Sequence, residues 1–105
     1  MRTLEFIVTG QRLKKSPDCD FSGIVAGSKG YLNAKFCFSP EWNGCTKAAS
    51  FWKDGQEYAV KLDENNSCVI DDAALIGERF EVSVTGAQPG YLIKTNKTKV
   101  RQEVY

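Results

Sequence analysis

Histidine is absent from all 105 residues. Its absence excludes every histidine-based catalytic triad and every histidine metal site. No CxxC pair occurs either: Cys19, Cys37, Cys45 and Cys68 lie 18, 8 and 23 residues apart. Zinc would have to gather thiolates from scattered positions, so free thiols are the expectation. Cys37 and Cys68 fall within apolar strand patterns and are expected to pack as small hydrophobes. No run approaches the roughly 18 apolar residues that a membrane span needs. The N-terminal MRTLEFIVTG has no small-residue cleavage site and reads as a first strand, not a signal peptide. A chain made in the cytoplasm, unprocessed and with no membrane partner, is the simplest expectation. The phosphate-cradling loop is missing too, because Gly27-Ser28-Lys29-Gly30 lacks the glycine pattern and a following helix. No cofactor is implied, and the chain is not expected to be an enzyme. The carboxylate pairs Asp63-Glu64 and Asp71-Asp72 sit beside turn and cap signals, where acidic residues solvate and cap rather than catalyse.

What is present is β pattern. The length fits one domain, residues 1–105. Leu4, Phe6 and Val8 alternate with Glu5, Ile7 and Thr9 as a strand that Gly10 bends or bulges, with Gln11–Lys15 expected to continue it as a solvated edge. A short apolar segment, Phe21 to Val25, precedes the Gly27–Gly30 loop. The clearest strand runs from Tyr31 to Ser39, with Leu32, Ala34, Phe36 and Phe38 on one face. Pro40 ends it. Strands follow at Thr46–Lys53 and Gln56–Leu62, joined by the hairpin dipeptide Asp54-Gly55. Asp63–Ser67 is a polar turn and Cys68–Ile70 a short buried strand. Asp71 caps one helical turn, Asp72 to Ile76, ended by Gly77. Further strands fall at Arg79–Thr85, Tyr91–Lys94 and Thr98–Val104. Seven to nine short strands with turns every 8–12 residues predict an all-β, antiparallel sandwich of immunoglobulin-like type. A small barrel is the alternative.

Charge is distributed unevenly. Residues 1–15 carry Arg2, Arg12, Lys14 and Lys15 against Glu5 alone. Residues 91–105 carry Lys94, Lys97, Lys99 and Arg101 against Glu103 alone, and the span between is acidic. If the terminal strands are neighbours, one edge is basic. Charged edges discourage edge-to-edge pairing, and they also suit a polyanion or an acidic partner. Arg12, Lys14, Lys15, Lys94, Lys97, Lys99 and Arg101 are therefore the candidate binding surface, with the loops at Gly27–Gly30 and Ala87–Gly90. Trp42 and Trp52, beside Tyr31 or Tyr91, have the chemistry of a stacking platform. The competing expectation is that Trp42 plugs one end of the sandwich and Trp52 packs on a sheet face.

The run Lys35–Ile70 carries Phe36 and Phe38, then the corner Ser39, Glu41, Trp42, Asn43 and Gly44, then Phe51–Gly55, Tyr58–Leu62 and Cys68–Leu75. Phe80–Gly86 and Ile93, Thr95 and Asn96 follow. This pattern resembles the N-terminal domain of baseplate upper proteins and related tail or fibre proteins of Firmicutes phages and prophages, over about two-thirds of the chain. The resemblance implies an immunoglobulin-like assembly module in a virion, with Phe36, Phe38, Trp42, Gly44 and Trp52 forming a structural corner rather than a contact surface. Family members usually continue into linker helices and a receptor-binding part, whereas this sequence stops at Tyr105. Three functions are weighed. The first is a non-enzymatic structural module of a tail, baseplate, fibre or capsid, located in the virion or host cytoplasm, self-associating or docking on a virion protein. The second is a small phage-encoded inhibitor that binds a host defence protein or its nucleotide signal. The third is a nucleic-acid-binding barrel.

Overall fold

Side chains that alternate across a strand commit one face to the core, and here two such sets of faces meet. The computed structural model describes residues 1–105. Its strands are β1 (Arg2–Thr9), β2 (Arg12–Lys15), β3 (Leu32–Phe38), β4 (Thr46–Lys53), β5 (Gln56–Lys61), β6 (Ser67–Val69), β7 (Arg79–Gln88), β8 (Tyr91–Lys94) and β9 (Thr98–Arg101). The first sheet has the order β2-β1-β3-β6. The second has β5-β4-β7-β8, with β9 on the same side of β7 as β8, beside the start of β7 where β8 lies beside its end. The two sheets pack as a sandwich. Leu4, Phe6 and Val8 of β1 and Leu32, Ala34 and Phe36 of β3 bury against Ala49 and Phe51 of β4 and Phe80, Val82 and Val84 of β7. Phe6 and Phe36 stack with ring centroids 5.2 Å apart. Each of these large side chains contributes about 2–3 kcal/mol by leaving water.

Turn chemistry sets the registers. Asp54 and Gly55 both take positive φ, +51° and +80°, and close the expected β4–β5 hairpin with Lys53 opposite Gln56. That backbone matches the strand twist and suits Asp-Gly. Pro89-Gly90 likewise makes a two-residue turn, with Gln88 opposite Tyr91, so β7 runs further than its alternation suggested.

Two expectations are corrected. Gln11–Lys15 does not continue β1. Gly10, at φ +57°, turns the chain back, and β2 pairs antiparallel with β1, Thr9 facing Arg12. The sheet is also not antiparallel throughout, because β1 and β3 run parallel, Phe6 beside Phe36. A parallel pair needs a long return path, usually a helix. Here Ser16–Tyr31 provides it without one, lying along the edge of β1. The Ser16 amide donates to the Glu5 carbonyl at 3.0 Å, and the Arg2 guanidinium donates to the carbonyls of Asp20 and Ser22 at 2.9 and 2.6 Å. Ile24 is buried in this return path, while Val25 makes only a single bridge, to Glu103.

The expected helical turn is a 3-10 turn at Asp72–Ala74, capped by the Asp71 carboxylate, which accepts from the Ala73 amide at 2.9 Å. A second 3-10 turn, Pro40–Trp42, forms the corner after β3. β9 stops at Arg101, short of Val104. Gln102 leaves the ladder, its amide donating to the Glu78 carbonyl at 2.7 Å, and its side chain is buried.

One edge of the sandwich is sealed by side chains. The Leu13 amide donates to Asn96 Oδ1 at 2.7 Å, and Asn96 Nδ2 donates back to the Leu13 carbonyl at 3.2 Å. Thr98 Oγ1 donates to that same carbonyl at 2.7 Å. Asn96 thus imitates a neighbouring strand and ties β2, in the first sheet, to the β8–β9 junction in the second.

Candidate functional site

The Ser39–Gly44 corner is held from four sides. Trp42 is fully buried, and its indole N–H donates to the Gly10 carbonyl at 2.8 Å. The Ser39 hydroxyl accepts from the Gly10 amide at 2.9 Å, and the Tyr91 hydroxyl donates to the Glu41 carbonyl at 2.9 Å. Phe38 lies 5.0 Å from the Trp42 ring centroid, with the Lys47 ammonium 5.2 Å above Phe38. Gly44 takes φ +81°, which a side chain adopts only at a cost. Sequence reasoning missed Gly86. A Cβ there would sit 2.7 Å from Trp42 Cε3, so only glycine lets the indole lie flat on β7.

Trp52 occupies the outer face of the second sheet. Its indole N–H donates to the Ser83 hydroxyl at 2.9 Å, and the Lys97 ammonium lies 3.8 Å over the ring. With Trp42 enclosed and Trp52 covered by a cation, no pair of tryptophan faces stands open for stacking.

The seven candidate cations do gather at one edge, because Asn96 joins β2 to the β8–β9 junction. They then diverge. Arg12 and Lys14 alternate with inward Leu13 and project from the first sheet. Lys94, opposite Thr85, and Lys99, opposite Glu81, project from the second sheet, as does Arg101, opposite Arg79. Lys15 covers the Phe21 ring at 5.3 Å, and Lys97 covers Trp52. The only ion pair is Lys53–Asp54 at 3.9 Å, so all seven lack a carboxylate partner. The edge is electropositive but is not one concave anion site. The nearest hollow, about 240 Å³, has Trp52, Glu57, Ser83, Thr85, Lys94 and Lys97 among its lining residues.

The cysteines are free thiols. Cys37 corrects its expectation: it projects from the outer face of β3 and is exposed, because register places it with Asn33 and Lys35 rather than with Phe36. Cys68 is buried, and burial, with the Asp63 charge nearby, pushes its thiol up to about 12. Asp63 itself accepts from the amides of Asn65 and Ser67 at 2.9 and 3.0 Å, the local turn role expected of it.

Met1, Val25, Tyr31, Val69, Ile76, Val104 and Tyr105 are exposed toward the other end of the sandwich, with Arg2, Ser28 and Glu103 among them. Arg2 opposite Leu32 sets Met1 beside Tyr31, and Asn33 opposite Val69 sets Val69 one step further along the same face. Val25 and Tyr31 line a hollow of about 220 Å³ with Ile24 and Leu32. Of the loops proposed from sequence, Gly27–Gly30 borders this end, its Gly27 amide donating to the Leu75 carbonyl at 2.8 Å. Ala87–Gly90 is the tight β7–β8 turn. No single signal in the sequence marks this patch, because its members lie far apart along the chain.

No protein-family model matches the chain, and no curated protein matches it. No helix is long and apolar enough to cross a membrane.

Proposed function

We propose that the chain is a non-enzymatic assembly module acting through protein contacts, in the tail, baseplate, fibre or capsid of a phage or prophage particle. The observation that carries this reading is the group of exposed apolar side chains toward the Met1 end. Large apolar side chains exposed together, rather than singly, mark interaction surfaces. Tyr31 and Met1 immediately precede the paired strands β3 and β1, and Val25 lies in the return path beside them. The resemblance of the Lys35–Ile70 run to baseplate domains supplies the setting.

The test is capture from phage-infected or lysogenic cells with the tagged chain and a Tyr31→Asp variant. A virion structural protein recovered by the parent and lost by the variant is expected. Recovery of a host defence protein selects the inhibitor reading in its place, and recovery of neither refutes the assembly reading.

A further inference from the structure

The two sides of the sandwich are finished differently. On one side Asn96 and Thr98 occupy the outward backbone groups of Leu13, and Gln11 Nε2 reaches the Lys94 carbonyl at 3.1 Å. On the other side the second sheet ends at β5, which pairs with β4 alone. In a two-residue hairpin the flanking residues form a hydrogen-bonded pair and every second residue thereafter repeats it. Gln56, Tyr58 and Val60 therefore bond to β4, and the Leu62 amide continues the series onto the Lys47 carbonyl at 2.9 Å. Glu57, Ala59 and Lys61 point their N–H and C=O groups away from the sheet, and no protein group meets them. An edge of this kind is a template for another strand.

We infer that this edge pairs with the same edge of a second copy of the chain, in an antiparallel two-fold dimer centred on Ala59. The side chains carry the register. With Ala59 opposite Ala59, Glu57 stands opposite Lys61 of the second copy and Lys61 opposite its Glu57. Both residues lie on the outer face and are exposed. The three pairs are the ones whose backbone groups are free, and each exchanges two hydrogen bonds. On the inner face Tyr58 meets Val60 of the second copy, covering two half-buried apolar side chains. Sliding by two residues in one direction sets Glu57 against Ala59. Sliding in the other sets Glu57 against Asp63, two carboxylates. Each of these registers is isologous, but only the Ala59 register sets opposite charges against each other, and it does so twice. A single strand pair is a small interface, so the dimer is concentration-dependent. This inference deepens the assembly-module reading, to which it gives a means of self-association.

Sedimentation equilibrium of the full chain tests it. The parent chain is expected to dimerise reversibly. Lys61→Glu puts like charges opposite each other twice and weakens the dimer by about tenfold. Adding Glu57→Lys to that variant restores the pairing with its signs exchanged. Ala59→Pro removes a central donor that β4 does not use, so it abolishes the dimer while circular dichroism keeps the parent spectrum. A chain monomeric at about 1 mM, or a dimer that Lys61→Glu and Ala59→Pro leave unchanged, overturns the inference. A double variant that folds yet pairs no better than Lys61→Glu does so too. The two readings fail separately. A monomer that captures a virion protein through Tyr31 overturns only the edge pairing, and a dimer that captures none overturns only the assembly role.

Discussion

Replacing Gly86 with alanine pits two known effects against each other, and the geometry decides between them. Gly86 lies within β7, opposite Lys47 and Ile93, with an ordinary strand φ. In open space the substitution would stabilise the fold by about 0.4–1 kcal/mol, because alanine has less freedom to lose on folding. The space is not open. The new methyl would sit 2.7 and 2.8 Å from Trp42 Cε3 and Cζ3 and 3.2 Å from Cys45 Cβ. The indole cannot tilt away freely, since its N–H is held by Gly10 and its face by Phe38. Overpacking of this sort costs about 1–3 kcal/mol. The clash wins, and Gly86→Ala should destabilise by about 1–2 kcal/mol. For a domain of this size that lowers the urea midpoint by roughly 0.5–1 M, read by circular dichroism. Trp42→Phe supplies the control. Alone it costs about 2–4 kcal/mol through the cavity and the unpaired Gly10 carbonyl. The smaller ring makes room for the methyl, so the double variant should lose about 1 kcal/mol less than the sum of the singles. A Gly86→Ala protein at or above parental stability, or an additive cycle, refutes this account of the corner.

Two further outcomes follow from the core and the sealed edge. Asn96→Ala leaves the Leu13 amide without a partner and its carbonyl with Thr98 alone, and should cost about 1–2 kcal/mol, with the Leu13 amide exchanging markedly faster by hydrogen-exchange mass spectrometry; unchanged exchange would show that the edge does not depend on Asn96. Cys68 ties stability to alkaline pH. Its folded value of about 12 lies above the ordinary thiol value, so the folded chain holds that proton more tightly and gains stability that is complete below about pH 8.5 and lost as pH rises toward 12. The stability difference between the parent and Cys68→Ala should therefore be flat at neutral pH and fall above about pH 9, measured by urea unfolding; a difference that stays flat into the alkaline range refutes the assignment.

Much of the fold could be read from local chemistry, and the exceptions share a cause. Asp54-Gly55, Pro40 and Asp71 act within a few residues, so the β4–β5 hairpin, the end of β3 and the capped turn were all legible. The sandwich itself followed from the alternation of Leu4–Val8, Leu32–Phe38 and Phe80–Val84. β2 is hard to tell from a continuation of β1 because Arg12–Lys15 offers a single apolar side chain, Leu13, too little to mark a separate strand. Its place is fixed by Gly10 and by Asn96, which no local pattern connects to Leu13. The parallel β1–β3 pair was hidden for a similar reason, since its return path has no helix to announce it. Cys37 alternates with Phe36 and Phe38, and that register rather than its apolar neighbours decides its exposure. For the candidate surfaces, the basic edge was legible as a charge asymmetry, but its division between two faces was not. The exposed apolar group was invisible because Met1, Val25, Tyr31, Ile76 and Val104 meet only in three dimensions. The free edge of β5 is a property of hydrogen-bond phase, which a sequence shows only once the hairpin register is known.

The Asn96 seal also orders events in time. Synthesis delivers β1, its hairpin with β2 and the parallel partner β3 early, yet the outward groups of Leu13 must wait for a residue 83 positions later. Until then the first sheet carries a second open edge, with no seal to hide it. Closing a loop of that span is slow compared with forming a hairpin. The nascent chain therefore passes through a state with both sides of the sandwich able to accept a strand, and the finished chain keeps only one.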